Sequence, residues 1–200
     1  MASRQETPTL TPRPWNPVAQ QFVLGAGVVA RQRANDAIVG RSVVLAALER
    51  CPAEARAAWT EVTTMSWVSL DLIEVVQDEI ARQSGLDAEQ LHDQVVRRAV
   101  EDALLTVYRS LLRFASDAWL VSRAQAMFNR TRKIGKLAAD MPGPGQARLV
   151  LSQWPGISNR YARQVSIGVE RVLTLTGRKS VAIRHELTPD GARFFVSWKS

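Results

Sequence analysis

The sequence predicts an α+β fold, with helices packed on one face of a roughly five-stranded antiparallel sheet that ends in a C-terminal β-hairpin. Two observations carry this. Apolar residues recur at helical spacing through the middle of the chain, and they alternate at strand spacing between Pro-Gly and Asp-Gly turns in the last third. The chain has 200 residues and 46% hydrophobic content, enough to build one core without disulfides. Residues 20–200 are therefore expected to form a single domain. Residues 1–19 are expected to be an extended or disordered arm, because Pro8, Pro12, Pro14 and Pro17 disfavour helix and nothing there is periodic.

Folded structure is expected from Gln20. Phe22–Ala30 reads as a strand with Gly25 and Gly27 at a bulge or a close backbone approach. The Gly-x-Gly inside it lacks the remainder of a dinucleotide fingerprint. Helical periodicity follows from Gly40, with Val43, Val44, Ala47 and Leu48 on one face before Cys51-Pro52. Pro52 opens a second helix through about Val62, burying Ala55, Ala58 and Trp59. A third spans about Ser69–Gln83 with a stripe of Leu72, Val75, Val76 and Ile80, stopped at Ser84-Gly85. Asp87, with Gln90 three residues on, caps the longest helix, whose apolar set Leu91, Val95, Val96, Val100, Leu104, Val107 and Leu111 reaches about Ala115. Ser116 or Asp117 starts another through about Arg130, expected to bury Trp119, Leu120, Ala124, Met127 and Phe128.

Residues 134–139 and 147–153 read as a hairpin about the tip Met141-Pro142-Gly143-Pro144-Gly145. Ser158 caps a helix that Gly177 stops. In the final hairpin Val181, Ile183, His185 and Leu187 alternate, Thr188-Pro189-Asp190-Gly191 turns, and Ala192, Phe194, Val196 and Trp198 alternate back.

Charge is distributed unevenly around a net +7. Residues 61–102 hold ten acids and three bases, whereas residues 103–200 hold sixteen bases and five acids. Such a chain can attract an anionic partner through its basic half, or associate acidic face to basic face. The single cysteine, Cys51, excludes a disulfide framework and a multi-cysteine zinc site and fits a reducing, cytoplasmic setting. No apolar stretch has the length of a membrane span, and the N-terminus has no apolar core of a secretory signal. The two histidines, His92 in an acidic helix and His185 in a terminal strand, offer no triad. His92 is expected to be exposed and His185 to be half-buried and paired with a neighbour. Carboxylate pairs such as Glu74/Asp78 and Glu101/Asp102 fall where a solvated helix face is expected, and no P-loop, zincin or EF-hand spacing occurs. No catalytic residue, cofactor or metal is therefore expected. Trp15, in the arm, is free to dock on a neighbouring protomer.

From Phe22 to Trp198 the chain resembles a family of small proteins found mainly in myxobacteria. These in turn resemble the fold shared by haem-dependent nitric-oxide-binding domains, vinyl-reductase-type ligand domains and the TRAPP vesicle-tethering subunits. The resemblance rests on Leu48-Glu49-Arg50-Cys51-Pro52, Ser66-Trp67-Val68-Ser69-Leu70, Tyr108-Arg109-Ser110-Leu111-Leu112, Asn129-Arg130-Thr131, Ile167-Gly168-Val169-Glu170, Leu175-Thr176-Gly177-Arg178-Lys179 and Gly191-Ala192-Arg193-Phe194-Phe195-Val196-Ser197-Trp198. It implies a non-enzymatic, dimer-forming ligand-sensing or scaffold module that binds a small apolar molecule or a partner protein. It does not imply haem here, since neither histidine stands where that family's axial ligand is expected.

The expected pocket is lined by Leu104, Tyr108, Leu111, Trp119, Met127, Phe194, Val196 and Trp198. The alternative expectation is a nucleic-acid-binding or regulatory protein acting through a basic patch of Arg130, Arg132, Lys133 and Lys136, with Arg160 and Arg163 alongside.

Overall fold

The structure, a computed structural model, describes residues 21–107 and 116–199, the side chains of 104–107 excepted. Its first half is helical. A short strand β1 (Phe22–Leu24) runs into α1 (Gly25–Val39), followed by α2 (Arg41–Arg50), α3 (Ala53–Thr60), β2 (Trp67–Ser69), α4 (Leu70–Ser84) and α5 (Ala88–Val107). The second half begins with α6 (Asp117–Thr131) and continues with β3 (Lys136–Gly143), β4 (Gln146–Ser152), α7 (Asn159–Leu175), β5 (Lys179–Thr188) and β6 (Gly191–Lys199). The strands form a four-stranded antiparallel sheet ordered β3-β4-β6-β5 and a separate two-stranded ribbon, β1-β2. The α+β class and the helix-on-one-face arrangement hold. The sheet has four strands rather than about five because the expected first strand ends after three residues.

That early ending has a tertiary cause. Gly25 sits so close to the loop before β2 that an added Cβ would lie 2.0 Å from the Thr63 carbonyl oxygen. The first two amides of α1 donate across this contact, Gly25 to Ser66 O (2.7 Å) and Ala26 to Thr64 O (3.1 Å). Loop carbonyls thus satisfy N–H groups that a side-chain cap would otherwise take. From there Val28, Ala34 and Asn35 bury along one helical face. The β-branched run Val28-Val29 is helical, and residues 31–39, unassigned from the sequence, complete the helix.

Several boundaries match their local chemistry. Asp87 Oδ1 accepts from the Gln90 amide (2.9 Å), Ser116 Oγ from the Trp119 amide (3.2 Å) and Ser158 Oγ from the Tyr161 amide (3.1 Å). α7 closes in a Schellman motif: Gly177, at φ 91°, donates to Thr174 O, and Arg178 donates to Leu173 O. The final hairpin pairs Thr188 with Gly191 and His185 with Phe194, in the expected alternation. Ala192, Phe194, Val196 and Trp198 are buried, while Leu187 is 48% exposed at the hairpin end.

Two helical faces differ from expectation. In α4 the buried stripe is Ile73, Val76, Gln77, Ile80 and Ala81, and Val75 is 42% exposed. In α6 only Leu120 is fully buried, and Trp119 and Met127 are 44% and 52% exposed. A helix of mixed apolar and small residues leaves its orientation to the neighbours, and α6 packs on β3, where Asn129 bonds the Leu137 backbone. The buried apolar residues form one continuous cluster from Val23 to Trp198, reaching from the α1–α5 helices through α7 to the inner sheet face. None of the described helices is long and apolar enough to cross a membrane.

Candidate functional site

Helices α1, α4, α5 and α7 enclose polar side chains where a purely apolar seam would pack more simply. α1 contributes Arg31 and Asn35, α4 contributes Glu74 and Gln77, α5 contributes His92 and α7 contributes Gln164. Asn35, Gln77, His92 and Gln164 are all buried, none more than 6% exposed. Arg31 Nη2 donates to Gln164 Oε1 (2.6 Å), the Gln164 amide donates to Glu74 Oε1 (3.3 Å), and Asn35 Nδ2 donates to the Arg31 carbonyl (2.8 Å). Arg160 reaches the same carboxylate from the rim, 3.6 Å from Glu74 Oε2.

Much of this centre's hydrogen-bonding capacity is unused. Arg31 Nη1, Asn35 Oδ1, both amide atoms of Gln77 and His92 Nε2 are shielded from solvent without a protein partner. A buried polar group without a partner costs on the order of 1–3 kcal/mol. Such a set on neighbouring helices marks a place where a bound molecule or internal water completes the bonding. Burial weakens the charged forms throughout. Desolvation, with the nearby Arg31 and Arg160 charges, pushes His92 down to about 3, so it is neutral at pH 7. Desolvation raises Glu74 against the pull of Arg31 and Arg160, and it lowers Arg31 against the pull of Glu74.

The sequence hid these residues in two ways. Arg31 and Asn35 lie on a helix whose start read as a strand. His92 was expected to be exposed because of its acidic neighbours, yet it is 4% exposed. Its position beside Leu91, three before Val95 and four before Val96, places it on the apolar stripe itself, a signal that overrides neighbouring charge.

Around this centre the acidic and basic halves of the chain meet. Arg160 bonds Asp78 and Glu89 (both 2.7 Å), Arg163 bonds Asp93 (2.6 Å), Arg97 of α5 bonds Glu170 of α7, and Arg171 forms an ion pair with Glu101 (2.7 Å). Burial opposes the Arg160 charge, but its bonds to Glu89 and Asp78 and the Glu74 carboxylate raise its pKa overall.

Of the six residues of the expected basic patch, four are engaged within the chain. Arg160 and Arg163 are held by carboxylates. Arg132 donates to Tyr161 Oη (2.5 Å), and the Lys133 ammonium lies 4.7 Å from the Trp67 ring centre. Arg130 and Lys136 remain exposed without an ion pair among the described residues. The expected pocket is not assembled by the described side chains. Phe194, Val196 and Trp198 are packed core, and Trp198 Nε1 donates to Asp117 Oδ2 (3.2 Å). Trp119 and Met127 face outward. Tyr108 and Leu111 lie outside the described residues, as does the Leu104 side chain.

His185 is half-buried and paired, its Nδ1 3.1 Å from Ser166 Oγ and its Nε2 3.0 Å from Asn159 Oδ1. A serine, a histidine and an amide in a row invite a nucleophile reading, but the surroundings lack the other parts. Ser166 lies in the middle of α7, where backbone amides are committed to the helix ladder and cannot receive an oxyanion. Its hydroxyl also bonds the Ala162 carbonyl (3.1 Å). Among the described residues no three His, Cys, Asp or Glu side chains group as metal ligands. Cys51 is buried, and burial raises its pKa away from the reactive thiolate.

The two imidazoles also bear on haem. Both ring nitrogens of His185 are already engaged. His92 Nε2 has no protein partner and lies near the Arg31 and Arg160 charges.

No family model and no curated protein matches the chain. Solved structures do. A point variant of an H-NOX protein from K. algicida, in the unliganded Fe(II) form, superposes with a TM-score of 0.65 at 10% identity, covering 88% of this chain and 97% of that one. An H-NOX protein from S. oneidensis in the Fe(II)NO state gives 0.65 at 12% identity, covering 88% and 99%. An oxygen-binding H-NOX domain related to soluble guanylate cyclases gives 0.63 at 14% identity, covering 88% and 95%. With helices and sheet arranged alike over nearly the whole of both chains, this protein has the fold of the haem-nitric-oxide-binding H-NOX domains.

Proposed function

We propose that this chain is a non-catalytic ligand-sensing domain, working as a homodimer or with a partner protein. In this reading it uses the H-NOX fold to bind a small molecule without a histidine-ligated haem. The observation that carries the reading is the set of unpaired polar atoms between α1, α4, α5 and α7, in a fold whose solved neighbours bind ligands. Arg31, Gln77 and His92 supply the hydrogen-bonding atoms for the polar end of such a ligand. The absence of oxyanion donors around Ser166 supports the non-catalytic part.

Native mass spectrometry of freshly purified full-length protein, with a parallel haemin titration followed by absorbance, tests this. The expected result is a retained non-haem adduct, weakened in His92→Gln and Gln77→Leu, and no stoichiometric Soret band. A one-to-one Soret band that disappears in His92→Gln or in His185→Gln would overturn the haem-free reading. A spectrum with no retained molecule, unchanged by either substitution at the polar centre, would overturn the sensing one.

A further inference from the structure

A second concave site lies on the helical half, away from the polar centre. It is a cleft of about 470 Å³ between α3, β2 and the first turn of α4. Phe22, Ala57, Ala58, Val62, Trp67 and Leu72 give it an apolar floor, and Glu54 and Glu61 stand exposed on its rim. Among the described residues neither glutamate forms an ion pair. Lys133 is stacked on two of the floor rings, Trp67 and Phe22, at 4.7 and 5.8 Å.

The start of the described chain is attached to this cleft. Leu70 N–H donates to Gln21 O (2.7 Å), and Phe22 pairs with Ser69 in an antiparallel register. Gln21 therefore lies beside the first turn of α4, whose Asp71 and Leu72 line the cleft. The twenty residues that precede it contain Pro12-Arg13-Pro14-Trp15-Asn16-Pro17, with Arg4 and Arg13 against a single acid, Glu6. Trp15 is seven residues from Phe22, a reach of up to about 25 Å.

We propose that the N-terminal arm occupies this cleft of its own chain, with Trp15 on the apolar floor and Arg13 between Glu54 and Glu61. Three features of the cleft match the segment. Proline-rich stretches are pre-extended and dock on aromatic-lined grooves with little loss of entropy. An indole suits a floor built from alanines, aliphatic side chains and two aromatic rings. The acidic rim complements the arm's basic character, and the short tether supplies a local concentration in the millimolar range, so a weak contact is enough for occupancy. The arm would then act as a built-in occupant that a competing Pro- and Trp-containing basic segment has to displace.

The test uses full-length protein in which Trp15 is replaced by the photoreactive p-benzoylphenylalanine, irradiated in dilute solution and mapped by mass spectrometry. The expected product is a cross-link within one chain to the tryptic peptide spanning residues 57–82. Its yield, summed over the peptides 57–61 and 62–82 because the second substitution adds a tryptic cut, should fall several-fold in the Glu54→Lys, Glu61→Lys double variant. Both positions are exposed, and circular dichroism should confirm that this variant is folded. Cross-links between two chains, cross-links to another surface, or none at all would overturn the proposal. A yield unaffected by the charge reversal would overturn the pairing of Arg13 with the rim.

Discussion

At the scale of single residues, the uncommon feature of this fold is the burial of His92. An exposed histidine titrates near 6.5, whereas burial holds this one near 3. Between those values the unfolded chain binds a proton that the folded chain refuses. The depressed folded pKa therefore costs nothing above pH 6.5 and removes stability as pH falls towards 3, by at most about 1.4 kcal/mol per pH unit. Glu74 works in the opposite sense, because its raised pKa makes the folded state take up a proton earlier on acidification. His92→Gln retains a hydrogen-bonding side chain and deletes the titration. Its thermal midpoint should fall less between pH 7 and pH 4.5 than that of the parent, and parallel curves in scanning calorimetry would refute this account. Gly25 is a second residue whose identity is set by contact. The 2.0 Å approach of a Cβ to Thr63 O means that Gly25→Ala has to push the α1 start away from the β2 loop. A loss of about 1–3 kcal/mol in chemical denaturation is expected, as for other overpacked sites.

At the scale of elements, α7 organises the molecule. One face packs on the sheet, and the other presents Arg160, Arg163, Gln164 and Arg171 to the acids of α4 and α5. The charge segregation visible in the sequence, acidic in the middle and basic towards the end, is met in part inside the chain by these pairs. Most of these pairs are individually weak, since an exposed ion pair contributes about 0–1 kcal/mol. Arg160 differs by serving Glu74, Asp78 and Glu89 together at 21% side-chain exposure. Arg160→Ala should therefore cost more stability than Arg163→Ala, on the order of 1–2 kcal/mol against a few tenths. Equal losses by urea denaturation would show that the shared arginine has no special weight.

The same elements show what the sequence made legible. Caps at Asp87, Ser116 and Ser158, the Gly177 stop and the last hairpin were readable because each depends only on a backbone and a side chain a few residues away. The α1 start and the facing of α4 and α6 depended on a loop, a sheet or a neighbouring helix that no short window contains, whereas the burial of His92 was marked by its place on the α5 apolar stripe. The polar centre draws on four helices, so none of its spacings is a motif in the linear chain.

At the scale of the whole molecule, the question is whether the helical half and the sheet half are one folding unit. Their boundary is crossed by α5 against α7, by the Arg31 bond to Gln164, and by a bridge between Val23 and Arg132 that ties β1 to the segment just after α6. The apolar cluster passes through the same boundary without a gap. Two fully buried tryptophans report the two sides, Trp59 in α3 at 3% exposure and Trp154 at 0%, with its ring 4.4 Å from that of Tyr161. If the halves share one core, neither can unfold while leaving the other its buried surface, and a two-state transition follows. Variants that keep only Trp59 or only Trp154 among the six tryptophans, with Phe at the other five, would then give the same urea midpoint as each other and as the circular dichroism signal of the same variant. Because each comparison is made within one variant, any general destabilisation cancels. A Trp59 signal that separates from the circular dichroism, with Trp154 following it, would divide the domain at α5–α7 and place the polar centre at a hinge rather than in a core.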